Sequence, residues 1–264
     1  MAIIDKDKYS IVLIGAGNLA TNLGKALKSK GFHVVQVYSR TRESASKLAT
    51  LLNADTTTSL EEVRKNADLY IVSLSDSAFE KLIPEITKGK NKGLFVHTAG
   101  SISMSIWEGY ADHSGVFYPM QTFSKGREVD FTQIPIFLET NDDRNLDILS
   151  YIASELSSRV YVISSKQRKA LHLSAVFACN FTNHMYALAD HLLQKYEIPF
   201  EVMLPLIDET AQKVHQLLPR EAQTGPAIRY DKNVINKHLE LLADEPAIQE
   251  LYEKISQSIY KEGK

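Results

Sequence analysis

Ser10-Ile11-Val12-Leu13-Ile14-Gly15-Ala16-Gly17-Asn18-Leu19-Ala20 is the stretch that decides the fold. An apolar, β-rich run breaks into a G-x-G-x-x-A turn and passes straight into a helical pattern through Leu23, Ala26 and Leu27. Each small residue has a mechanical task. Gly15 permits the tight turn, Gly17 lets the backbone approach a pyrophosphate, and Ala20 keeps the new helix close to the strand. The head of that helix presents unpaired N–H groups and the positive end of a dipole. Gly15, Gly17, Asn18, Leu19 and Ala20 are therefore expected to hold the phosphates of a dinucleotide.

Working outward, apolar runs recur at Val34–Tyr38, Leu69–Val72, Leu94–His97, Val116–Tyr118, Ile136–Leu138 and Val160–Ile163. Between them, Leu19–Lys30, Arg42–Leu52, Leu60–Asn66, Phe79–Thr87 and Asn145–Leu156 read as amphipathic helices. Strands alternating with helices predict an α/β fold with a doubly wound parallel sheet, and continuous rather than alternating apolar strands predict helices on both faces. The rhythm stops near Ser164, where Ser164 and Gln167 have capping-box spacing. The helix they open has room to run some thirty residues, to about Tyr196, before Ile198-Pro199 stops it. Pro199, Asp231 and Pro246 mark the starts of three more. The expected organisation is a nucleotide-binding domain over 1–163 and an all-helical domain over 164–264.

Composition agrees and excludes other classes. At 264 residues the chain is about 1.8 times a typical domain. Thirty Lys and Arg against thirty-two Asp and Glu leave a formal charge of −2, so no basic face advertises nucleic acid. No run approaches the ~18 apolar residues of a membrane span. The single Cys179 has no partner for an intrachain bridge, and Met1-Ala2-Ile3-Ile4-Asp5-Lys6-Asp7 turns charged too early for a signal peptide. A cytoplasmic setting is expected.

About twenty residues after Ala20, where an NAD site carries an acidic residue for the ribose, this chain has Ser39-Arg40-Thr41-Arg42. A guanidinium matches a 2′-phosphate, so Ser39 and Arg40 point to NADP. Two further strand ends, Ser73-Leu74-Ser75-Asp76 and His97-Thr98-Ala99-Gly100-Ser101, are small and polar and should line the crevice for ribose and nicotinamide. Asp76 there fits better as the cap of the following helix.

The long helix carries apolar residues around most of its circumference, which predicts burial, with part of the surface covered by a second subunit in a homodimer. At a uniform 100° per residue His172, Asn180, Asn183, His184 and His191 fall within an arc of ~120°, a polar stripe suited to a wet cleft between the domains. Histidine exchanges protons near neutrality, so His172 is a candidate acid, with Asn180 orienting a carbonyl or imine and Asn183 and His184 beside it. His97, at a crevice strand end, competes for the acid role. Buried Asn and His satisfied by backbone or water would form the same pattern. Arg229, in Thr224-Gly225-Pro226-Ala227-Ile228-Arg229, either clamps an anionic substrate or pairs with a surface carboxylate. No metal-ligand spacing is recognisable, and no metal is expected.

The Gly15–Ala20 turn, the Tyr38-Ser39-Arg40 strand end and His97–Ser101 resemble the NADP-binding domain of pyrroline-5-carboxylate reductases and deazaflavin-coenzyme-dependent NADP oxidoreductases. His172 with Ala175–Phe181, and Thr224–Asp231, resemble the helical domain of an uncharacterised family of Rossmann-like oxidoreductases. The resemblance covers nearly the whole chain. It implies a 6-phosphogluconate-dehydrogenase-like helical domain, often used for dimerisation, and an NADP-dependent activity. Two departures stand out. The catalytic Lys that 3-hydroxyacid dehydrogenases carry four residues before the helix Asn is replaced by Val176. The His that precedes the crossover Pro in family members and in prephenate dehydrogenases is replaced by Tyr118. The expected activity is hydride transfer between NADP(H) and a small carbonyl or imine. The missing Lys supports an alternative, a non-catalytic NADP(H) sensor or scaffold.

Overall fold

The computed structural model describes residues 4–90, 92–127 and 129–263. Residues 1–3, which open the N-terminal reading above, lie outside them. Among the described residues, one sheet is built from β1 (Ser10–Ile14), β2 (His33–Tyr38), β3 (Asp55–Thr57), β4 (Leu69–Val72), β5 (Leu94–His97), β6 (Ser114–Pro119), β7 (Ile136–Thr140) and β8 (Val160–Val162). Its order is β3-β2-β1-β4-β5-β6-β7-β8. All pairings are parallel except β6 with β7. The chain leaves β1 toward β2 and β3, then returns to the other side of β1 through β4. That reversal opens a crevice at the carboxyl edge, beside β1 and β4.

The central strand shows why both faces must be covered. Ile11 and Leu13 belong to one buried cluster with Leu23 and Leu27 of helix α1 (Asn18–Ser29) and Leu48 of α2 (Arg42–Leu52). Val12 and Ile14 point the opposite way, to Phe79 and Ile83 of α3 (Asp76–Thr87) and to Trp107. With period-two alternation, a strand apolar at every position supplies two cores. Helix α4 (Asp143–Leu156) returns to the α1 face through Leu149, Ile152 and Leu156.

Two local expectations are corrected. Leu60–Asn66 is not an amphipathic helix; only a single 3₁₀ turn forms, at Leu60–Glu62. Side chains from neighbouring strands take the backbone groups that helix bonds would have used. Gln36 donates to the Glu62 carbonyl (3.2 Å) and accepts from Arg64 N (2.8 Å), while the Tyr70 hydroxyl donates to the Arg64 carbonyl (2.7 Å) and accepts from Ala67 N (3.1 Å). Asp76 is the first helical residue of α3 rather than its cap; Ser75 occupies the cap position, and the Asp76 carboxylate accepts a bond from Ser101.

By compactness the chain divides into Met1–Cys179 and Asn180–Lys264. Strands end near Ser164, as composition indicates, but helix α5 (Ser165–Ala175) stays with the sheet because its buried Arg168 is bonded there. The Ser164–Gln167 capping box forms. After α5 the helix is π-wound over Val176–Phe181 and resumes as α6 (Thr182–Gln194). The second unit also contains α7 (Leu204–Lys213), α8 (Pro226–Arg229), α9 (Lys232–Leu241) and α10 (Pro246–Glu262). Asp231 caps α9 through Val234 N, Pro246 opens α10, and Tyr230 stacks on Tyr260 at 4.4 Å. Pro199 caps the short turn Phe200–Met203 that precedes α7. No helix among the described residues is long and apolar enough to cross a membrane.

Burial of the long helix is also corrected. Of its described residues from Ser165 to Gln194 only Arg168 is buried, and Leu173 and Phe177 are 59% and 63% exposed.

Candidate functional site

The glycine turn has the geometry a phosphate cradle needs. Gly15 sits at φ +120°, and a Cβ there would stand 2.2 Å from the Ser73 carbonyl oxygen, so the turn is pressed against the end of β4. A Cβ on Gly17 would meet nothing within 4 Å; this is the open approach. Gly17 also caps α1 without any side-chain bond, and the first turn contains no acidic residue. No side-chain cap engages the N–H groups at the head of α1, and the positive end of the helix dipole lies behind them. These observations fit the phosphates of a dinucleotide.

Adjacent strand ends complete the edge. Ser39 is half-buried and donates its N–H to Thr57 (3.2 Å). Arg40 is exposed and makes no ion pair among the described residues. The Ser73 and Thr98 hydroxyls lie 3.0 Å apart, joining the ends of β4 and β5. Leu74 is half-buried and Ser75 exposed in the loop from β4 to α3.

His97 and His172 occupy contrasting surroundings. His97 is 1% exposed, with its ring beside Phe79 and Trp107 at centroid distances of 5.7 and 6.1 Å. Its Nδ1 accepts from Ala99 N (3.2 Å), and its Nε2 lacks a hydrogen-bond partner. Burial, reinforced by the Arg168 charge, lowers its pKa to about 3. A ring so held is neutral at neutral pH and shut off from solvent, which weighs against an acid role for His97.

His172 is half-buried on α5 and reaches the crevice edge. A Cβ on Gly100 would lie 2.6 Å from His172 Nδ1, so the ring packs directly on the Gly100 backbone. The Tyr118 hydroxyl is 3.2 Å from the same nitrogen. Burial raises the Tyr118 pKa, with the Arg168 charge opposing, so the phenol keeps its proton. With Nδ1 engaged by Tyr118, Nε2 is the ring nitrogen left for another partner.

Around this pair lie groups that sequence reasoning passed over. Arg168, one turn before His172 and 0% exposed, pairs through Nη1 with Glu139 and through Nη2 with the Ile102 carbonyl (2.5 Å) and Ser165 Oγ (3.2 Å). Glu139 also accepts from Ser165 N (2.8 Å) and Ser165 Oγ (2.7 Å). The i, i+4 spacing of Arg168 and His172 was a usable signal. Nothing local marked Glu139 on a distant strand. The structure brings Tyr118 into the site as the imidazole's partner, although it looked like the loss of a catalytic histidine.

Asn180, Asn183, His184 and Arg229 belong to the second unit and are exposed. The uniform 100° step behind the predicted arc does not hold through the π-wound Val176–Phe181. His191 is satisfied inside its own unit, with Nε2 2.8 Å from Glu245.

Residues 10–99 match the family described as NADP oxidoreductase, coenzyme F420-dependent, and residues 134–259 match a domain of unknown function, DUF2520. No curated protein matches the chain. Among solved structures, a putative NADP oxidoreductase of Bacteroides fragilis is 64% identical, with 97% of this chain and 99% of that one covered and a TM-score of 0.93. A Thermotoga maritima protein has 23% identity, TM-score 0.79 and coverage of 96% and 99%. An imine reductase of Myxococcus stipitatus in complex with NADP+ has 16% identity, TM-score 0.67 and coverage of 96% and 92%. The last two establish likeness of fold alone. Identity of 64% over nearly the full length of both chains places the protein in the NADP oxidoreductase family of the Bacteroides fragilis protein.

Proposed function

We propose that the protein is an NADP(H)-dependent oxidoreductase acting on a small carbonyl or imine, with His172 as proton donor and Tyr118 as its partner. The observation that carries this reading is the imidazole–phenol pair seated on Gly100, two residues from Thr98 at the carboxyl edge that also bears the glycine turn. Nicotinamide supplies or accepts the hydride when bound. The chain's own residues supply the rest. Exposed Arg40 would recognise a 2′-phosphate, and the bare head of α1 a pyrophosphate. During reduction an imidazolium donates its Nδ1–H to the Tyr118 oxygen and delivers its Nε2 proton to the substrate heteroatom, leaving neutral imidazole. Phenol oxygen can both donate and accept, so it supports the ring in either protonation state. We also propose that a second copy of the chain covers the exposed apolar face of the long helix.

The test is NADPH oxidation with keto acids, aldehydes and cyclic imines as acceptors, using the intact chain. Wild type is expected to turn over at least one acceptor. H172A is expected to lose about 10²-fold or more in rate while NADPH affinity changes less than about twofold, with Y118F intermediate. Absence of turnover across all three classes, despite NADPH binding, would move the protein to the sensor reading.

A further inference from the structure

Arg168 is the least accessible charge among the described residues of the sheet unit, and stability alone is a poor reason for it. Exchanging a buried ion pair for apolar residues of similar size is often neutral or stabilising, because desolvation offsets the attraction. Here the cost is not fully met, since Arg168 Nε is buried without a hydrogen-bond partner. The other guanidinium contacts share one geometric result. Arg168 Nη2 holds the Ile102 carbonyl, and Ser165 Oγ accepts from Met104 N at 2.9 Å, so the loop that follows Gly100 is tied to the start of α5 at two points. Glu139 accepts from Arg168, Ser165 N and Ser165 Oγ, which fixes the same start to β7. The His172 ring lies one helical turn beyond Arg168 on the same face, on Gly100 and against Tyr118. Tyr118 and β7 are themselves in register, Tyr118 pairing with Phe137 and Val116 with Glu139. All three surfaces that meet at His172 therefore converge on one ion pair.

We infer that Arg168 and Glu139 are positioning residues, whose buried pair locks α5, the Gly100–Met104 loop and β7 together and so sets the His172 ring on the Tyr118 hydroxyl. This rests on the reading of His172 as the proton donor. Neither residue touches substrate; both act through His172.

The test reads the imidazole directly and needs no turnover. Full-length protein carrying ¹⁵N-labelled histidine is examined by NMR at a pH where His172 is neutral, with its resonances assigned by H172Q. Y118F provides the signature of a ring released from its partner. Wild type is expected to show one tautomer distinct from Y118F. R168M/E139M, which removes both charges together, is expected to keep its fold and NADPH affinity within about twofold but to move to the Y118F signature. R168K, which keeps the charge and loses the fork, is expected to move the same way and decides the matter if the double variant does not fold. A folded R168M/E139M or R168K with the wild-type tautomer overturns the inference, as does a wild type indistinguishable from Y118F. A purely structural pair would lower the melting temperature and leave the tautomer unmoved. Failure of the acceptor screen would remove the oxidoreductase reading without changing these spectra.

Discussion

At the scale of single residues, partners and burial separate groups that look alike in the sequence. His97 and His172 are both histidines beside small polar residues, yet one is sealed between Phe79 and Trp107 and the other sits on Gly100 at the crevice edge. The buried ring has a measurable consequence. The native state keeps His97 neutral down to a pKa of about 3, while an unfolded chain protonates it near ~6.5. Unfolded protein therefore binds more protons between these values, and stability falls as pH drops through that window, by at most about 1.4 kcal/mol per pH unit from this group. Melting temperatures recorded from pH 7.5 to pH 4 should fall less steeply for H97L than for wild type; parallel curves would show that another group is responsible. Arg40 offers a second test. Free of ion pairs among the described residues, it should lose a charge-assisted contact on R40A, raising the NADPH dissociation constant about tenfold or more and leaving NADH nearly unchanged. Equal losses in a fluorescence titration would mean that it does not read the 2′-phosphate.

At the scale of elements, local pattern succeeds where one apolar periodicity dominates and fails where a neighbour supplies the backbone's partners. Ser10–Ile14, Arg42–Leu52, Leu69–Val72 and Leu94–His97 form over the residues their patterns indicate. Leu60–Asn66 had a plausible helical pattern but lost its backbone bonds to Gln36 and Tyr70, side chains on two strands that no local window includes. β3, three residues long, carried too little pattern to be seen. The π-wound Val176–Phe181 escaped for a related reason, since uniform helical spacing is an assumption about hydrogen bonding and not a property of composition. The turn between β1 and α1 gives this scale its prediction. G15A forces a side chain into a φ of +120° and against the Ser73 carbonyl. It should cost about 2 kcal/mol or more in chemical denaturation and abolish NADPH binding. Normal affinity in a folded G15A would remove the turn from the cofactor site.

At the scale of the whole molecule, exposed apolar side chains are what the proposed dimer rests on. Leu173 and Phe177 in the first unit and Leu206, Leu218 and Leu241 in the second are each between 59% and 67% exposed. Covering such residues with a second chain removes apolar area from water, worth roughly 25 cal/mol per Å² before association costs. Light scattering behind size exclusion should give about twice 29.6 kDa, and a concentration-independent mass of 29.6 kDa would refute the dimer. The sequence by itself determined the doubly wound sheet, the glycine turn and the acidic-to-basic exchange at Arg40, because strand periodicity and turn chemistry are local. Only the tertiary structure decided which histidine is buried, that Tyr118 is the partner of the other and that Arg168 and Glu139 stand behind that pair. Those properties depend on burial and on hydrogen bonds between residues as far apart as Ile102 and Arg168, and such contacts exist only once the strands have been placed side by side.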